Sequence, residues 1–158
     1  MYEAAIKGNI SIVKAALHFG ADPDFQKNGR TPLQMIFVML CQSDSKAHLS
    51  DLEKKKNLEN LTKILFRAGA NINLLDCPKK ENGFASLHYT AIYSNIPRAE
   101  WLLSHKANIE LKTFNGRTPL MIACTNGESV AEHSIFVLSF HRKFFSFMTN
   151  SIFQNELY

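Results

Sequence analysis

Gly29-Arg30-Thr31-Pro32-Leu33 recurs letter for letter at residues 116–120. A degraded copy begins at Gly83, and 33 residues separate that glycine from Gly116. A second phrase alternates with the first and occurs as Gly20-Ala21-Asp22, Gly69-Ala70-Asn71 and Lys106-Ala107-Asn108. Two phrases that alternate in fixed order with a period of about 33 residues predict a solenoid built from one repeated unit.

Each unit is predicted to contain two helices. The glycine accommodates a positive φ before the first helix, the threonine caps that helix, and the proline is its first residue. In the unit that begins at Gly83, residues 94–97 are expected to end the first helix, and a second helix is expected from Arg98 to His105. Residues 106–115 then lead to the next glycine, which is enough chain for an extended finger or hairpin.

These phrases resemble the ankyrin repeat, and the resemblance covers most of residues 1–127. It implies an all-α, ankyrin-type solenoid of stacked helix-turn-helix repeats with projecting hairpin fingers. His88 matches the histidine of the Thr-Pro-Leu-His tetrapeptide, whose ring bonds the backbone and the cap. Gln34 stands at that position in the second unit and can still form hydrogen bonds, whereas Met121 in the fourth unit cannot.

Four units are placed near residues 1–28, 29–82, 83–115 and 116–138, with the first and last incomplete. The third unit has Ala85 and Ser86 in place of threonine and proline, so its helix cap is expected to be weaker.

The second unit carries an inserted polar segment over residues 41–56 and a longer finger over 74–82. Its first helix is expected to end near Leu40. Its second helix should begin near Asn57 and extend N-terminally to Leu52. The insertion is either a binding feature or a tolerated surface loop.

Residues 128–158 lose the repeat pattern, and half of the chain's 12 phenylalanines lie between 136 and 153. Three interpretations stay open for this segment. It is a helix that caps the last unit, a segment that docks on a partner or membrane surface, or the frayed end of a truncated reading frame.

Composition argues against several functional classes. The formal net charge is +4, but the lysine run at 54–56 follows Asp51 and Glu53 and is interpreted as a solvated helix face, so no nucleic-acid partner is predicted. Three scattered cysteines without a Cys-x-x-Cys pair favour a reducing compartment. Without a signal peptide or a membrane span in the sequence, we expect a monomeric cytoplasmic protein, with the nucleus as the alternative.

The six histidines match no metal-binding or catalytic motif, and no phosphate loop or nucleophile elbow is present. We therefore predict no catalytic residues, no metal, no cofactor and no enzymatic activity.

The resemblance implies a noncatalytic protein–protein interaction module, an adaptor or scaffold, that binds a partner protein on the concave finger and first-helix surface. The alternative is a fragment or isoform of a larger ankyrin-containing protein (a ubiquitin-ligase subunit, channel or enzyme) whose activity lies outside this chain. The positions at which the family meets its partners are Lys27, Asn28, Arg30, Phe84, Ile92, Tyr93, Phe114, Asn115 and Arg117.

Some of these residues have a competing structural interpretation. Aromatic and arginine side chains dominate interface hot spots, which favours Phe84, Phe114 and the other aromatic and arginine positions. Ile92 and Tyr93 could instead pack between repeats, and the two arginines could form ion pairs within the fingers. Asn73 resembles a finger asparagine that intracellular oxygenases hydroxylate in this family.

Overall fold

The structure, a computed structural model, describes residues 1–44, 52–77 and 83–125. Within these residues the chain forms seven helices and an isolated β-bridge. The helices are α1 (Tyr2–Ile6), α2 (Ile10–His18), α3 (Pro32–Asp44), α4 (Leu52–Arg67), α5 (Ser86–Ile92), α6 (Ile96–Ser104) and α7 (Pro119–Thr125). The first six form three consecutive helix pairs, and α7 starts a fourth unit. The predicted all-α solenoid of stacked helix-turn-helix units is confirmed.

The helices lie in two layers. The first helices of the units, α1, α3, α5 and α7, pack side by side, while α2 and α4 pack against each other behind them and α6 packs against α5. The core lies between the layers and includes Leu33 and Phe37 of α3, Leu61 and Leu65 of α4, and Leu102 of α6. Burial of each such side chain contributes roughly 1.5–3 kcal/mol, so each unit depends on its neighbours for stability.

The predicted threonine caps are present at both intact copies of the phrase. Thr31 Oγ1 accepts a hydrogen bond from the backbone N–H of Gln34 at 3.2 Å, and Thr118 Oγ1 accepts one from that of Met121 at 3.3 Å. The predicted start of α6 at Arg98 is wrong by two residues, because Asn95 Oδ1 caps the helix by accepting from Arg98 N at 3.2 Å. Pro97 therefore lies in the first turn, where a missing N–H costs nothing.

The second unit departs from expectation at one helix end. α3 continues to Asp44 rather than ending near Leu40, and residues 41–44 are helical instead of part of a loop. Cys41 is buried, so the apolar face of α3 runs one turn further than the polar letters suggest. The extension of α4 back to Leu52 is confirmed. The predicted loop between these helices and the Phe-rich segment 128–158 lie outside the described residues.

The fingers are hairpins whose ends are joined by backbone hydrogen bonds. In the first finger, Lys27 and Arg30 exchange two such bonds at 3.0 and 3.2 Å around Asn28 and Gly29, which both have positive φ. Asn-Gly is favoured at such a two-residue turn because both residues tolerate that conformation. In the third finger, Thr113 N donates to Arg117 O at 2.9 Å around a three-residue loop. The second finger closes where Asp76 N donates to Phe84 O at 2.9 Å.

The weak cap of the third unit gives a first testable prediction. Ala85 has no side-chain oxygen to accept a hydrogen bond, and the hydroxyl of Ser86, only 1% exposed, has no hydrogen-bond partner among the described residues. The extended backbone of Ala85 suits a residue that precedes proline. Restoring the intact phrase with Ala85→Thr and Ser86→Pro should stabilise the chain by about 1–2 kcal/mol.

Urea unfolding monitored by circular dichroism measures this change. Ser11→Pro is the matched control, because Ser11 is an exposed first-turn residue of α2 and its replacement stiffens the unfolded chain without filling a buried site. Equal stabilisation by the control and the double variant would show that the cap contributes nothing.

Candidate interaction surface

The three fingers are bonded to one another in series. Cys77 N donates to Gly29 O at 2.7 Å, which joins the second finger to the first. At the base of the fingers, the carboxylate of Asp24 accepts from Asn71 N at 3.0 Å, and Asn73 Oδ1 accepts from Asn108 N at 2.8 Å. The backbone of the finger surface is thereby fixed by bonds that involve no finger-tip side chain.

The tip of the first finger presents Lys27 and Asn28 to solvent. Lys27 forms an ion pair with Glu3 of α1, and the hydrogen bond and positive charge of Lys27 hold the pKa of Glu3 below its usual value. Both side chains are about half exposed, so solvent screening leaves this pair little effect on stability. Asn28 lies in the positive-φ turn and is exposed.

The tip of the third finger presents Phe114 and Asn115. The Phe114 side chain is 59% exposed, yet its ring lies against Gly83 of the preceding finger. A Cβ atom at residue 83 would stand 2.6 Å from the ring, so only glycine allows this contact. Phe114 is therefore an exposed aromatic residue whose ring is held in place by its contact with Gly83.

Arg30 belongs to a partly buried network around Asp76, whose side chain is 0% exposed. Arg30 Nε donates to Asp76 Oδ2 at 3.2 Å and lies 3.1 Å from the hydroxyl of Tyr89, which in turn donates to Asp76 Oδ2. Asp76 Oδ1 accepts the backbone N–H of Phe84 at 2.6 Å. Burial, together with the hydrogen bond and charge of Asp76, raises the pKa of Tyr89 well above its usual value.

The alternative interpretation of Arg30 as a finger ion pair is therefore confirmed. Arg117 occupies the same position of the phrase, but it donates to the hydroxyl of Thr125 and forms no ion pair among residues 1–44, 52–77 and 83–125. Arg30 and Arg117 occupy the same position of the repeated phrase, yet the first pairs with a carboxylate and the second bonds to a hydroxyl. Their roles in partner binding stay predictions.

Three further predicted site residues are partly engaged inside the fold. Ile92 packs against the core, and the hydroxyl of Tyr93 accepts a hydrogen bond from Gln42 Nε2 of the neighbouring first helix at 2.9 Å. Phe84 is half-buried, with its ring centroid 5.6 Å from that of Tyr89. The inter-repeat packing considered for Ile92 and Tyr93 is present, while their surfaces remain partly accessible.

The tetrapeptide position behaves as the resemblance implied. His88 Nδ1 accepts from Ala85 N at 3.0 Å, and Nε2 lies 3.0 Å from the carbonyl oxygen of Leu111, which fixes the neutral tautomer with the proton on Nε2. In the second unit, Gln34 Oε1 accepts from Thr31 N at 2.7 Å and Nε2 donates to Leu74 O at 2.6 Å. Glutamine thus reproduces both bonds of the histidine.

Asp76 is the residue that sequence reasoning missed. It occupies the position of Lys27 in the first finger and Thr113 in the third, since all three donate their N–H across their finger to the residue that follows the glycine of the phrase. The repeat did not reveal this equivalence, because residues 78–82 lengthen the second finger and shift its register. Asn73, which anchors the third finger through its side-chain oxygen, stays a predicted hydroxylation site.

The described residues hold neither a candidate metal site nor a candidate membrane-spanning helix. In residues 1–44, 52–77 and 83–125, no group of three or more His, Cys, Asp or Glu side chains is placed to hold a metal ion. No helix within the same ranges is both long and apolar enough to cross a bilayer.

A family model of ankyrin repeats, in three copies, matches residues 50–133. This match covers more than half of the chain, and the chain belongs to the ankyrin repeat family. The resemblance recognised in the repeated phrases is therefore confirmed.

Similar proteins include ankyrin repeat protein B18 of variola virus, which is 27% identical over 134 residues, covering 83% of this chain and 22% of the viral protein. Ankyrin repeat protein B19 of vaccinia virus shows the same identity and coverage. Neurogenic locus notch homolog protein 1 of Xenopus tropicalis is 28% identical over 141 residues, covering 78% of this chain and 5% of that protein. The chain spans about a fifth or less of the length of these relatives.

Proposed function

We propose that this chain is a noncatalytic adaptor or scaffold module that binds a partner protein on the surface formed by its finger tips and first helices. Ankyrin repeats are generally noncatalytic protein-interaction modules, which supports the class of function. The observation that carries the choice of surface is the third finger. It holds a largely exposed aromatic ring on a backbone fixed by the neighbouring finger.

Preorganisation is the physical reason for this choice. Binding ordinarily costs free energy because loops and side chains lose freedom at an interface, and a surface that is ordered beforehand avoids that cost. The hydrogen bond from Asn108 N to Asn73 Oδ1 anchors the third finger to the second, and the bond from Thr113 N to Arg117 O closes the backbone around Phe114. Neither bond uses the Phe114 side chain. An exposed phenylalanine held in this way has the chemistry of an interface hot spot.

The test compares two double variants of the full chain in affinity capture followed by binding measurements on the captured proteins. The finger variant carries Phe114→Ala and Arg117→Ala. The matched control carries Phe19→Ala and Arg67→Ala, which remove the same two residue types from exposed positions outside the fingers; Phe19 is 87% exposed.

We expect the finger variant to bind its partner at least about tenfold more weakly, while the control binds like the unmodified chain. Urea unfolding of both variants verifies that neither is unfolded. Equal binding by the finger variant, or an equal loss in the control, would reject the third finger as the centre of the binding surface.

A further inference from the structure

The basic residues of the fingers differ in whether a carboxylate neutralises them. Lys27 is paired with Glu3, and Arg30 is paired with Asp76. Lys112 and Arg117, on the two sides of the third finger, form no ion pair within the described parts of the chain. Among the finger residues that the structure describes, the cations that no carboxylate neutralises therefore lie on the third finger.

The two cations and the aromatic residue of that finger belong to one short hairpin, which the bond from Thr113 N to Arg117 O closes. Lys112 and Phe114 are both exposed, whereas Thr113 between them is buried, so the lysine and the ring both face solvent beside the buried threonine. Arg117 follows the loop and is joined back to Thr113 through backbone and side-chain hydrogen bonds. One cation thus precedes and one follows the aromatic residue in the hairpin, and the Arg117 guanidinium donates to the hydroxyl of Thr125 in α7.

The acidic residue of this finger is Glu110. It is exposed, lies at the finger base, and forms no ion pair with Lys112 or Arg117 in the described structure. Its own backbone N–H donates to Asn108 Oδ1 at 3.0 Å, which ties it to the turn rather than to the finger tip. The tip itself is therefore cationic and aromatic.

From this arrangement we propose that the tip of the third finger, residues 112–117, binds an acidic peptide segment in which a large apolar side chain lies next to a carboxylate. The apolar side chain packs on Phe114, and the carboxylate bonds to Arg117, with Lys112 contributing charge. Guanidinium and carboxylate groups match in geometry, and an aromatic ring beside them excludes water and strengthens the bond. This inference rests on the proposed function and names its partner class.

The experiment selects binders from a random linear peptide library displayed on phage, with the full chain as the target. Enriched peptides should carry Asp or Glu within about three residues of Phe, Trp or Leu, because that is the reach of neighbouring side chains on an extended peptide. One enriched peptide is then synthesised, together with a copy in which its acidic residues are replaced by lysine.

The affinity of both peptides is measured for the unmodified chain, for Arg117→Glu, for Lys63→Glu, and for Phe114→Ala alone and combined with Arg117→Glu. Arg117→Glu should weaken the acidic peptide at least about tenfold, and it should bind the lysine copy better than the unmodified chain does. Lys63→Glu, which reverses an exposed cation on α4, should change neither affinity, because Lys63 is not in a finger. Phe114→Ala should weaken the binding of both peptides, in the unmodified background and in the Arg117→Glu background.

Each remaining outcome overturns the inference. Peptides without acidic residues, a selection that yields no binder above background, or affinity that ignores Arg117→Glu would each reject it. If binding depends on Asn28 or Tyr93 but not on Arg117, the finger and first-helix surface stands as the binding site and only the third-finger inference fails. If it depends on Lys63 instead, the proposed function fails as well. Tight binding of a peptide copied from residues 126–158 in preference to all selected peptides would show that the chain itself is the occupant, which also rejects an external acidic partner.

Discussion

Replacing Asp76 with alanine is expected to destabilise the fold by about 3 kcal/mol, because the change leaves three groups without their acceptor. The carboxylate of Asp76 is fully buried and accepts from Arg30, the Tyr89 hydroxyl and the backbone N–H of Phe84. Removal of one partner from such a network costs more than the network contributes net, since the remaining charge and donors stay away from water. The Arg30 side chain is 28% exposed, so water can relieve part of that cost.

Urea unfolding measures the effect, and Glu110→Ala is the matched control. Glu110 is also a finger carboxylate but is exposed, so its removal should change the free energy of unfolding by less than about 0.5 kcal/mol. Similar values for the two variants would contradict a special role for the buried network.

A double-mutant cycle separates the ion pair from the other bonds of Asp76. Arg30→Met removes the charge while keeping an apolar stem of similar length. If the pair is coupled as the distances indicate, Arg30→Met should cost less in the Asp76→Ala background than in the unmodified chain, by about 1 kcal/mol. Additive effects would show that Asp76 acts through Tyr89 and Phe84 alone.

The sequence predicted those parts of the fold that depend on local chemistry. Thr31 and Thr118 cap their helices, and Gln34 replaces the tetrapeptide histidine bond for bond, because each of these contacts joins residues within one phrase or to the adjoining finger. The predicted end of α3 near Leu40 was wrong because Cys41 is buried by tertiary packing, which the polarity of the neighbouring residues does not reveal.

The candidate site was less accessible to sequence reasoning. Arg30 and Arg117 stand in identical phrases, and their difference arises from a residue 46 positions away from Arg30, namely Asp76. The contact of Phe114 with Gly83 likewise joins two fingers whose relative placement depends on the stacking of the units. A single phrase shows which residues are charged or aromatic. It does not show whether a charge is neutralised by a carboxylate or whether a ring is accessible to a partner, because both depend on which fingers are neighbours.

His88→Ala is expected to cost about 3 kcal/mol at pH 7.5, because it leaves Ala85 N–H and the Leu111 carbonyl oxygen without a partner and opens a cavity. His88→Gln should recover most of that loss. The second unit already uses glutamine at this position, with hydrogen bonds at 2.7 and 2.6 Å. A glutamine variant as unstable as the alanine variant would show that the imidazole ring does more than satisfy two backbone groups.

The stability of the fold is also expected to depend on pH through His88. Burial lowers the pKa of His88 below the usual 6.5, because the charged imidazolium would lose its hydration inside the fold. A proton added at Nδ1 would also face the Ala85 N–H that now donates to that atom. The unfolded chain therefore takes up this proton first as the pH falls. The contribution of His88 to stability is complete above pH 6.5 and is lost as the pH falls from there through the folded pKa. Between pH 7.5 and 5.5 the unmodified chain should therefore lose more stability than His88→Gln, as urea unfolding at the two pH values measures. Identical losses in the two chains would mean that the acid sensitivity of the fold arises elsewhere than at the buried tetrapeptide histidine.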